Sequence, residues 1–237
     1  MSAARDATQQ QFIASQSLAE KTQPVTVIYE LESIIEPVPL ADLFPTPQPL
    51  EVELGAGDGG FLVHYAQRHP ERNFIGIERL LGRLRKIERR AGRAGLTNVR
   101  AVRIESSYFL EYLLPPGSAA ALHIYFPDPW PKRRHWRHRL VNERFPVLAR
   151  RSLAPGGLVY LRTDDPAYFE QMREVFRADT AFQAVETPAE LQAERTDFEA
   201  EFLARGVETL RAAFVLGRDN AVGREVIAMR AFVQGEE

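Results

Sequence analysis

Residues 50–60 read LEVELGAGDGG, a stretch that indicates the fold class of the chain. Its start predicts a short strand, and Gly55, Gly57 and Gly60 then match the pattern G-x-G-x-x-G. In that pattern the glycines permit a tight turn and let a ligand approach the backbone closely. A helical pattern follows over residues 59–69. The stretch therefore indicates the first strand, turn and helix of an α/β domain with a binding site at the strand end.

Beyond that stretch, short apolar runs alternate with amphipathic segments, which predicts βαβ units and a parallel sheet. We predict strands at Leu50–Leu54, Asn73–Ile77, 99–104, 119–126, 158–162, Phe182–Val185 and 208–216. We predict helices at 59–69, 79–94, 107–113, 139–152 and 166–177. A last apolar segment, 224–233, fits either a strand or a helix, because periodicity alone does not distinguish them.

The same pattern divides the chain into three parts. Residues 1–48 form an N-terminal extension, and closely spaced prolines from Pro37 onwards predict a stiff, extended approach to the first strand. Residues 49–216 form the α/β domain, and residues 217–237 form a C-terminal extension.

Composition limits the chemistry that the chain can perform. Of the 237 residues, 45% are hydrophobic, which is enough for a sizeable core. There is no cysteine, which excludes disulfides, thiolate zinc sites and cysteine nucleophiles, and no metal site is predicted. Residues 1–21 lack the apolar core of a signal peptide, and no apolar run reaches the roughly 18 residues that span a bilayer. We expect a soluble, cytoplasmic protein without membrane contact.

The formal net charge is −2, so a nucleic-acid partner would need a local basic patch. Two segments qualify. The first reads as the solvated face of a helix and comprises Arg83, Arg85, Lys86, Arg89, Arg90 and Arg93. The second directly follows a proline-rich loop and comprises Lys132, Arg133, Arg134, His135, Arg137, His138 and Arg139.

Acidic residues at the predicted strand ends indicate which ligand the glycine loop holds. Glu53 would repel the pyrophosphate of a dinucleotide but suits the sulfonium and ammonium of S-adenosyl-L-methionine. Glu78 ends the next strand and is placed to accept both ribose hydroxyls. Glu105 and Ser106 follow the third strand and would meet the adenine. The sequence therefore favours the methyl donor over a nicotinamide cofactor.

The fourth strand of the domain runs into FPDPWPK, residues 126–132. Alternate prolines fix φ and push the residues before them towards extended geometry. Asp128 would thus sit on a rigid loop at the carboxyl end of a central strand, where ligands bind in open α/β sheets. Trp130 is expected to pack in the core, although Trp130, Trp136 or Phe198 would also serve to stack on a base.

This loop and the basic run after it resemble the signature of the tRNA (guanine-N7)-methyltransferase family. Further matches, within about residues 50–216, are ELGAG at 53–57, GIE at 76–78, RTD at 162–164 and TDFE at 196–199. The resemblance implies a Rossmann-like class I methyltransferase sheet, mostly parallel with an antiparallel last strand and helices on both faces. Residues 49–216 would be its methyltransferase domain.

The resemblance also implies residue roles. Asp128 would be the catalytic position. Contacts to S-adenosyl-L-methionine are expected at Glu53, Gly55, Gly57, Glu78, Glu105, Ser106 and Asp128. Contacts to tRNA are expected at Lys132, Asp164, Thr196, Phe198 and Glu199. For Asp164 the alternative is a helix N-cap before Pro166.

Guanine N7 carries a free lone pair and no proton, so methylation there needs no deprotonation at N7. Asp128 is therefore expected to position the base and offset developing charge rather than act as a strict general base. Two alternatives stay open: a small-molecule methyltransferase on the same fold, and a non-catalytic RNA-binding module. A nicotinamide dehydrogenase fits less well, because no second nucleotide-binding half is visible.

Overall fold

The structure is a computed structural model that describes residues 26–196, Glu199 and residues 204–218. Predictions for the start of the N-terminal extension, for Phe198 and for the segment 224–233 fall outside these residues. Within the part that the structure describes, no helix is long and apolar enough to cross a membrane.

Eight strands and seven α-helices are ordered along the described chain. The strands are β1 (Ile28–Tyr29), β2 (Leu50–Leu54), β3 (Asn73–Ile77), β4 (Val99–Val102), β5 (Ala119–Tyr125), β6 (Leu153–Thr163), β7 (Phe182–Val185) and β8 (Leu210–Leu216). The α-helices are α1 (Leu40–Leu43), α2 (Gly60–Arg68), α3 (Leu81–Arg93), α4 (Ser106–Tyr108), α5 (Phe145–Ser152), α6 (Pro166–Ala178) and α7 (Ala189–Ala193). A π-helical turn (Phe109–Leu113) continues α4, and a 3-10 helix (Arg133–His138) follows the proline loop.

All eight strands form one sheet in the order β1-β4-β3-β2-β5-β6-β8-β7. Neighbours from β1 to β6 are parallel, whereas β8 runs antiparallel to both β6 and β7. The predicted fold, mostly parallel with an antiparallel last strand, is confirmed. The order reverses beside β2, so the carboxyl ends of β2, β3 and β5 meet at one edge, where open α/β sheets bind ligands.

Helices cover both faces of the sheet, as predicted. Buried residues of α2 and α3 pack on one face, and those of the π-helical turn, α5 and α6 pack on the other. Every residue of β2 and β3 is buried, and β3 accordingly reads as a nearly continuous apolar run. The two glutamates of β2 are the exceptions that the sheet must accommodate.

The predicted helix 139–152 is wrong in its first part. The 3-10 helix ends at His138, Arg139 is extended with φ −61° and ψ 132°, and α5 begins only at Phe145. The reason is Pro146, which lies in the first turn of α5: proline has no amide hydrogen to donate and clashes with the preceding turn, so one helix over residues 139–152 would break there. Strand β6 also starts earlier than predicted, at Leu153.

Part of the predicted N-terminal extension packs on the sheet. Ile28–Tyr29 pairs with β4 as an edge strand, and Val38, Leu43 and Phe44 join the core. The division of the chain at residues 48 and 49 stays a prediction. The packing shows that residues from Val27 onwards contribute to the stability of the α/β domain.

Candidate active site

A cavity of about 650 Å³ opens at the carboxyl ends of β2, β3 and β5. Its size suits a nucleoside-sized ligand. Five of the predicted site residues line it together: Gly55, Glu78, Glu105, Ser106 and Asp128. Among the described residues, Lys132, Asp164, Thr196 and Glu199 are not part of the lining. The structure thus brings five of the seven predicted donor residues to one cavity, whereas Glu53 and Gly57 are not part of its lining.

The glycine loop bends through left-handed conformations. Gly55 has φ +80°, and a Cβ there would meet no atom within 4 Å, so its backbone faces open space. The amides of Gly55 and Ala56 both donate to the carbonyl of Ile77, at 2.9 Å each, which ties the loop to β3. Gly59 has φ +77°, and a Cβ there would lie 2.8 Å from Ile87 Cγ1 of α3. The loop is therefore open on the ligand side and tightly packed on the α3 side.

Glu78 is buried and held by the loop that it faces. Its Oε2 accepts from the amide of Gly57 at 3.1 Å, and its Oε1 accepts from the amide of Leu80 at 2.9 Å. Arg83 Nη1 lies 3.7 Å from Oε2. These contacts fix the carboxylate at the end of β3 and leave each oxygen a lone pair for a ligand hydroxyl.

The other two acidic residues occupy different settings. Glu53 is buried at the centre of the sheet, one residue before the cavity-lining Leu54. Glu105 is exposed and caps α4, because its Oε2 accepts from the amide of Tyr108 at 2.7 Å. One oxygen of Glu105 is thus already engaged in holding the segment that carries Ser106.

The proline loop is strained at both ends. Phe126 has φ +50° and Trp130 has φ +45°, a region that bulky residues rarely occupy. Such strain costs on the order of 1–3 kcal/mol per residue and persists only where surrounding contacts enforce it. The amide of Phe126 donates to the carbonyl of Arg162 at 2.8 Å, which secures the start of the loop. Asp128 is exposed and projects from this loop at the cavity.

Arg139 secures the end of the loop. Its Nε donates to the carbonyl of Pro129 at 2.7 Å, and its Nη1 donates to Gln171 Oε1 at 2.5 Å. The guanidinium lies 4.5 Å from the ring centres of both Trp136 and Tyr168. Only 2% of Arg139 is exposed, so its inclusion in the basic surface run is wrong. Burial also raises the pKa of Tyr168 above its ordinary value.

Trp130 is not a core residue, contrary to the prediction. It is 36% exposed, lines the cavity, and lies with its ring centre 5.2 Å from that of His138. The positive φ of Trp130 turns its side chain out of the sheet's core. An exposed indole at the cavity rim is available for stacking on a base.

The remainder of the second basic run is exposed beside the cavity. Lys132, Arg133, Arg134 and Arg137 are all accessible, and Arg137 and His138 line the cavity. The first basic segment lies along α3, where Lys86 pairs with Asp58 at 2.7 Å. Both segments border the site, but only the second continues directly from the proline loop, residues 126–132. Because this loop carries Asp128, we call it the Asp128 loop.

Asp164 is not the helix N-cap. The neighbouring Asp165 has that role, because its carboxylate accepts from the amide of Tyr168 at 2.7 Å at the start of α6. Asp164 is half-buried at the end of β6. Asp164 therefore does not cap α6, which was the alternative that the sequence left open.

Thr196 and Glu199 are buried. The Oγ1 of Thr196 accepts from the amide of Glu199 at 3.0 Å. The carboxylate of Glu199 is 0% exposed and accepts from Arg162 at 3.0 Å and from Arg211. Their predicted contact with tRNA stays a prediction, and the structure gives both residues a role in ordering their own segment.

The sequence analysis missed the structural role of two arginines, Arg139 and Arg162, which contact the two ends of the loop that carries Asp128. Arg162 offered a signal, because it is a charged residue in an otherwise apolar run that the sequence assigned to a buried strand. Arg139 offered none, because it ends a run of similar basic residues that are exposed.

Comparison with protein families supports a methyltransferase assignment. A family model described as "Putative methyltransferase" matches residues 47–212 of the chain. A tRNA (guanine-N(7)-)-methyltransferase of Syntrophotalea carbinolica is 42% identical over 137 residues, which cover 58% of this chain and 59% of the relative. One from Aeromonas hydrophila subsp. hydrophila is 39% identical, covering 62% of each chain. The match thus spans about three fifths of the length of these curated relatives.

Solved structures show a similar fold at low identity. The crystal structure of the 16S rRNA methyltransferase KamB superposes with a TM-score of 0.54 at 16% identity, covering 75% of this chain and 92% of that chain. The 30S ribosomal A1408 methyltransferase from an uncultured bacterium gives a TM-score of 0.51 at 18% identity, with the same coverage. At such identities the likeness concerns the fold alone.

Proposed function

The chain belongs to the methyltransferase family whose model matches residues 47–212, and on that premise we propose that it transfers a methyl group from S-adenosyl-L-methionine to guanine N7 in tRNA. The observation that carries the proposal is one cavity that joins the glycine loop and Glu78 to Asp128. The exposed basic run that continues from the Asp128 loop supports an RNA substrate. Curated relatives bear the name of the same activity.

The residues around the cavity fit the proposed donor. Gly55 leaves its ligand side open, and Glu78 is oriented to accept from the ribose hydroxyls. Glu53 and Glu78 provide negative charge at adjacent strand ends. That charge suits a ligand with a sulfonium and an ammonium and opposes one with a pyrophosphate.

When bound, the donor supplies an electrophilic methyl group, and the N7–carbon bond forms as the carbon–sulfur bond breaks and its electron pair stays on sulfur. Asp128 is exposed in the cavity and able to accept from the N–H groups of guanine. It thereby orients N7 for in-line attack and offsets the positive charge that grows on the ring. No proton leaves N7, so Asp128 need not act as a base.

Guanine N7 in an A-form helix faces a deep, narrow groove, so the target base must leave its stack. Trp130 at the cavity rim offers a surface on which such a base stacks. Lys132, Arg133 and Arg134 would hold the phosphates beside it. A tRNA substrate also places the proposed reaction in the cytoplasm.

The proposal is tested by incubating the protein with bulk tRNA and methyl-labelled donor and digesting the RNA to nucleosides. We expect label in 7-methylguanosine, and Asp128→Asn should lower its rate by about 100-fold or more while the fold is kept. The exposed Asp42→Asn, outside the cavity lining, is the matched control and should behave like the wild type.

Other outcomes would replace the proposal. Label in a small molecule but not in tRNA would indicate the small-molecule methyltransferase. Binding of tRNA without any binding of donor in calorimetry would indicate the RNA-binding module.

A further inference from the structure

The Asp128 loop and the segment that carries the late TDFE motif are separated by about 70 residues along the chain. One side chain, that of Arg162, contacts residues beside both. We call residues 189–196 together with Glu199 the late segment. We propose that Arg162 is a positioning residue that holds the Asp128 loop and the late segment in one fixed arrangement. The inference rests on the proposed function, because that function assigns the Asp128 loop to methyl transfer and the late segment to contact with tRNA.

Arg162 binds the late segment at three places. Its Nη1 donates to the carbonyl of Glu194 at 2.6 Å and to Glu199 Oε2 at 3.0 Å. Its Nη2 donates to the carbonyl of Leu191. With 1% exposure, the guanidinium is nearly sealed from water, so these bonds replace its hydration.

The same residue holds the Asp128 loop. Its main-chain carbonyl accepts from the amide of Phe126, the strained first residue of the loop, a bond that any residue at position 162 would keep. Its guanidinium lies 4.3 Å from the ring centre of Tyr125, the residue before Phe126. Tyr125 lines the cavity, so the arginine acts on the site through this ring and not by touching a substrate.

The late segment is also fastened from its outer side. Glu194 accepts from Arg68 and lies 2.7 Å from His64 Nδ1, both on α2, the helix that opens at the glycine loop. Glu199 pairs with Arg211 of β8 in addition to Arg162. Among the arginines described, Arg162 contacts both the late segment and the residues that begin the Asp128 loop.

Geometry explains why arginine is required. A planar guanidinium donates to several acceptors and stacks on a ring at once, whereas an ammonium is a single compact donor. Arg162→Lys keeps the charge but cannot reach Glu199, two carbonyls and the Tyr125 ring together. Both the loop and the late segment should then loosen.

Arg100→Lys is a matched control. Arg100 is also buried in the sheet, donates to the carbonyls of Val99 and Thr97 at 2.6 and 3.1 Å, and lies over the Phe44 ring at 5.0 Å. Like Arg162, it donates to two backbone carbonyls and lies over a ring, but it is on β4, outside the cavity lining. A merely structural loss should affect both variants alike.

The experiment combines hydrogen exchange with steady-state kinetics on the full chain. In Arg162→Lys, and not in Arg100→Lys, we expect faster amide exchange in peptides covering both the Asp128 loop and residues 189–196. The KM for tRNA should rise and kcat should fall, each by about 10-fold, while the donor Kd changes less than about twofold. Glu199→Gln, which keeps the shape, should speed exchange in the late segment if Arg162→Lys does not fold.

Unchanged exchange in either segment of Arg162→Lys, or kinetics equal to those of Arg100→Lys, would overturn the inference. If Arg162→Lys does not fold, unchanged amide exchange in the late segment of Glu199→Gln overturns the inference. A wild-type protein that methylates no tRNA would instead refute the proposed function, and the exchange data would still decide whether Arg162 couples the two segments.

Discussion

At the scale of single residues, two buried arginines contact the Asp128 loop, and one of them, Arg139, belongs to a basic run that the sequence analysis placed on the surface. The side chain of Arg139 binds the loop at Pro129, whereas Arg162 binds it through its main-chain carbonyl at Phe126 and through its guanidinium at the Tyr125 ring. Because Phe126 and Trp130 are strained, the loop needs both anchors to persist. The orientation of Asp128 thus depends on contacts that these two arginines make beside the cavity.

Arg139→Lys should destabilise the protein by about 2 kcal/mol, because lysine cannot bind Pro129 and Gln171 while stacking between two rings. Urea unfolding measures the loss, and kcat should fall because the loop is less well held. The exposed neighbour Arg137→Lys should change the free energy of unfolding by less than about 0.5 kcal/mol. Equal stability of the two variants would show that Arg139 does not anchor the loop.

At the scale of elements, the glycine loop depends on a glycine that the G-x-G-x-x-G pattern does not contain. Gly59 combines a left-handed backbone with direct packing against Ile87 of α3. The loop and α3 therefore fit together only without a side chain at this position. Arg83 of α3 lies 3.7 Å from Glu78 Oε2, so this helix also contributes a charge beside the glycine loop.

Gly59→Ala should destabilise the protein by about 2 kcal/mol or more, from backbone strain and the 2.8 Å contact with Ile87 Cγ1. Gly92→Ala, inside α3 with no atom within 4 Å of the added Cβ, is the control. It should stabilise by about 0.5–1 kcal/mol, as alanine does in a helix. Thermal or urea unfolding measures the stability of both variants. A change of stability in the same direction for the two variants would contradict this explanation.

The two basic segments should differ in their contribution to RNA binding. Replacing Lys132, Arg133 and Arg134 by glutamine should weaken tRNA binding and lower the slope of log K against log salt by about 2, as phosphate contacts are lost. The matched triple change on α3 replaces the exposed Arg85, Arg89 and Arg93 by glutamine and should leave the slope nearly unchanged. Equal slopes for the two triple variants would show that the two segments do not differ in their contacts with phosphates.

How much the sequence predicts depends on the kind of interaction. Strands such as Asn73–Ile77 were predictable because they are buried on both faces, and strand ends placed Glu78 and Asp128 at one edge. Pro146 likewise indicates a helix that starts beside it, where α5 begins. The inward turn of the Arg139 side chain was not predictable, since it depends on contacts with Pro129 and Gln171. Tertiary contacts of single side chains leave no periodic signal.

At the scale of the whole molecule, a polar network crosses the face of the sheet under α2. His123 of β5 lies 2.7 Å from Glu51 Oε2 through Nε2 and 2.7 Å from the hydroxyl of Tyr125 through Nδ1. Arg72 donates to Glu51 Oε1 at 2.7 Å. Burial raises the pKa of Tyr160, which stacks on His123, to about 12. The network links the sheet centre to the cavity through Tyr125.

Glu51 gives this network a predicted pH dependence. Burial by itself raises the pKa of Glu51, but the hydrogen bonds and charges of His123 and Arg72 outweigh it and hold the pKa below its ordinary value of 4.5. The stabilisation by ionised Glu51 is therefore complete above that value and is lost as the pH falls through the lower pKa of the folded state.

Glu51→Gln should cost about 3 kcal/mol at neutral pH, because it leaves buried partners uncompensated. The difference from the wild type in free energy of unfolding should shrink as the pH falls below about 4.5. The exposed Glu174→Gln should show no such trend. A difference that stays constant from neutral pH to acid would mean that Glu51 is not stabilised in its ionised form.

The proposed reaction transfers the methyl group to one atom, N7 of guanine, at the cavity beside Asp128. The most direct test compares two tRNA transcripts, one with guanosine and one in which 7-deazaguanosine replaces every guanosine, with methyl-labelled donor. We predict label in the guanosine transcript and none in the 7-deaza transcript, although both bind the protein. Equal labelling of the two transcripts would contradict the account, because the methyl group would then be on another atom.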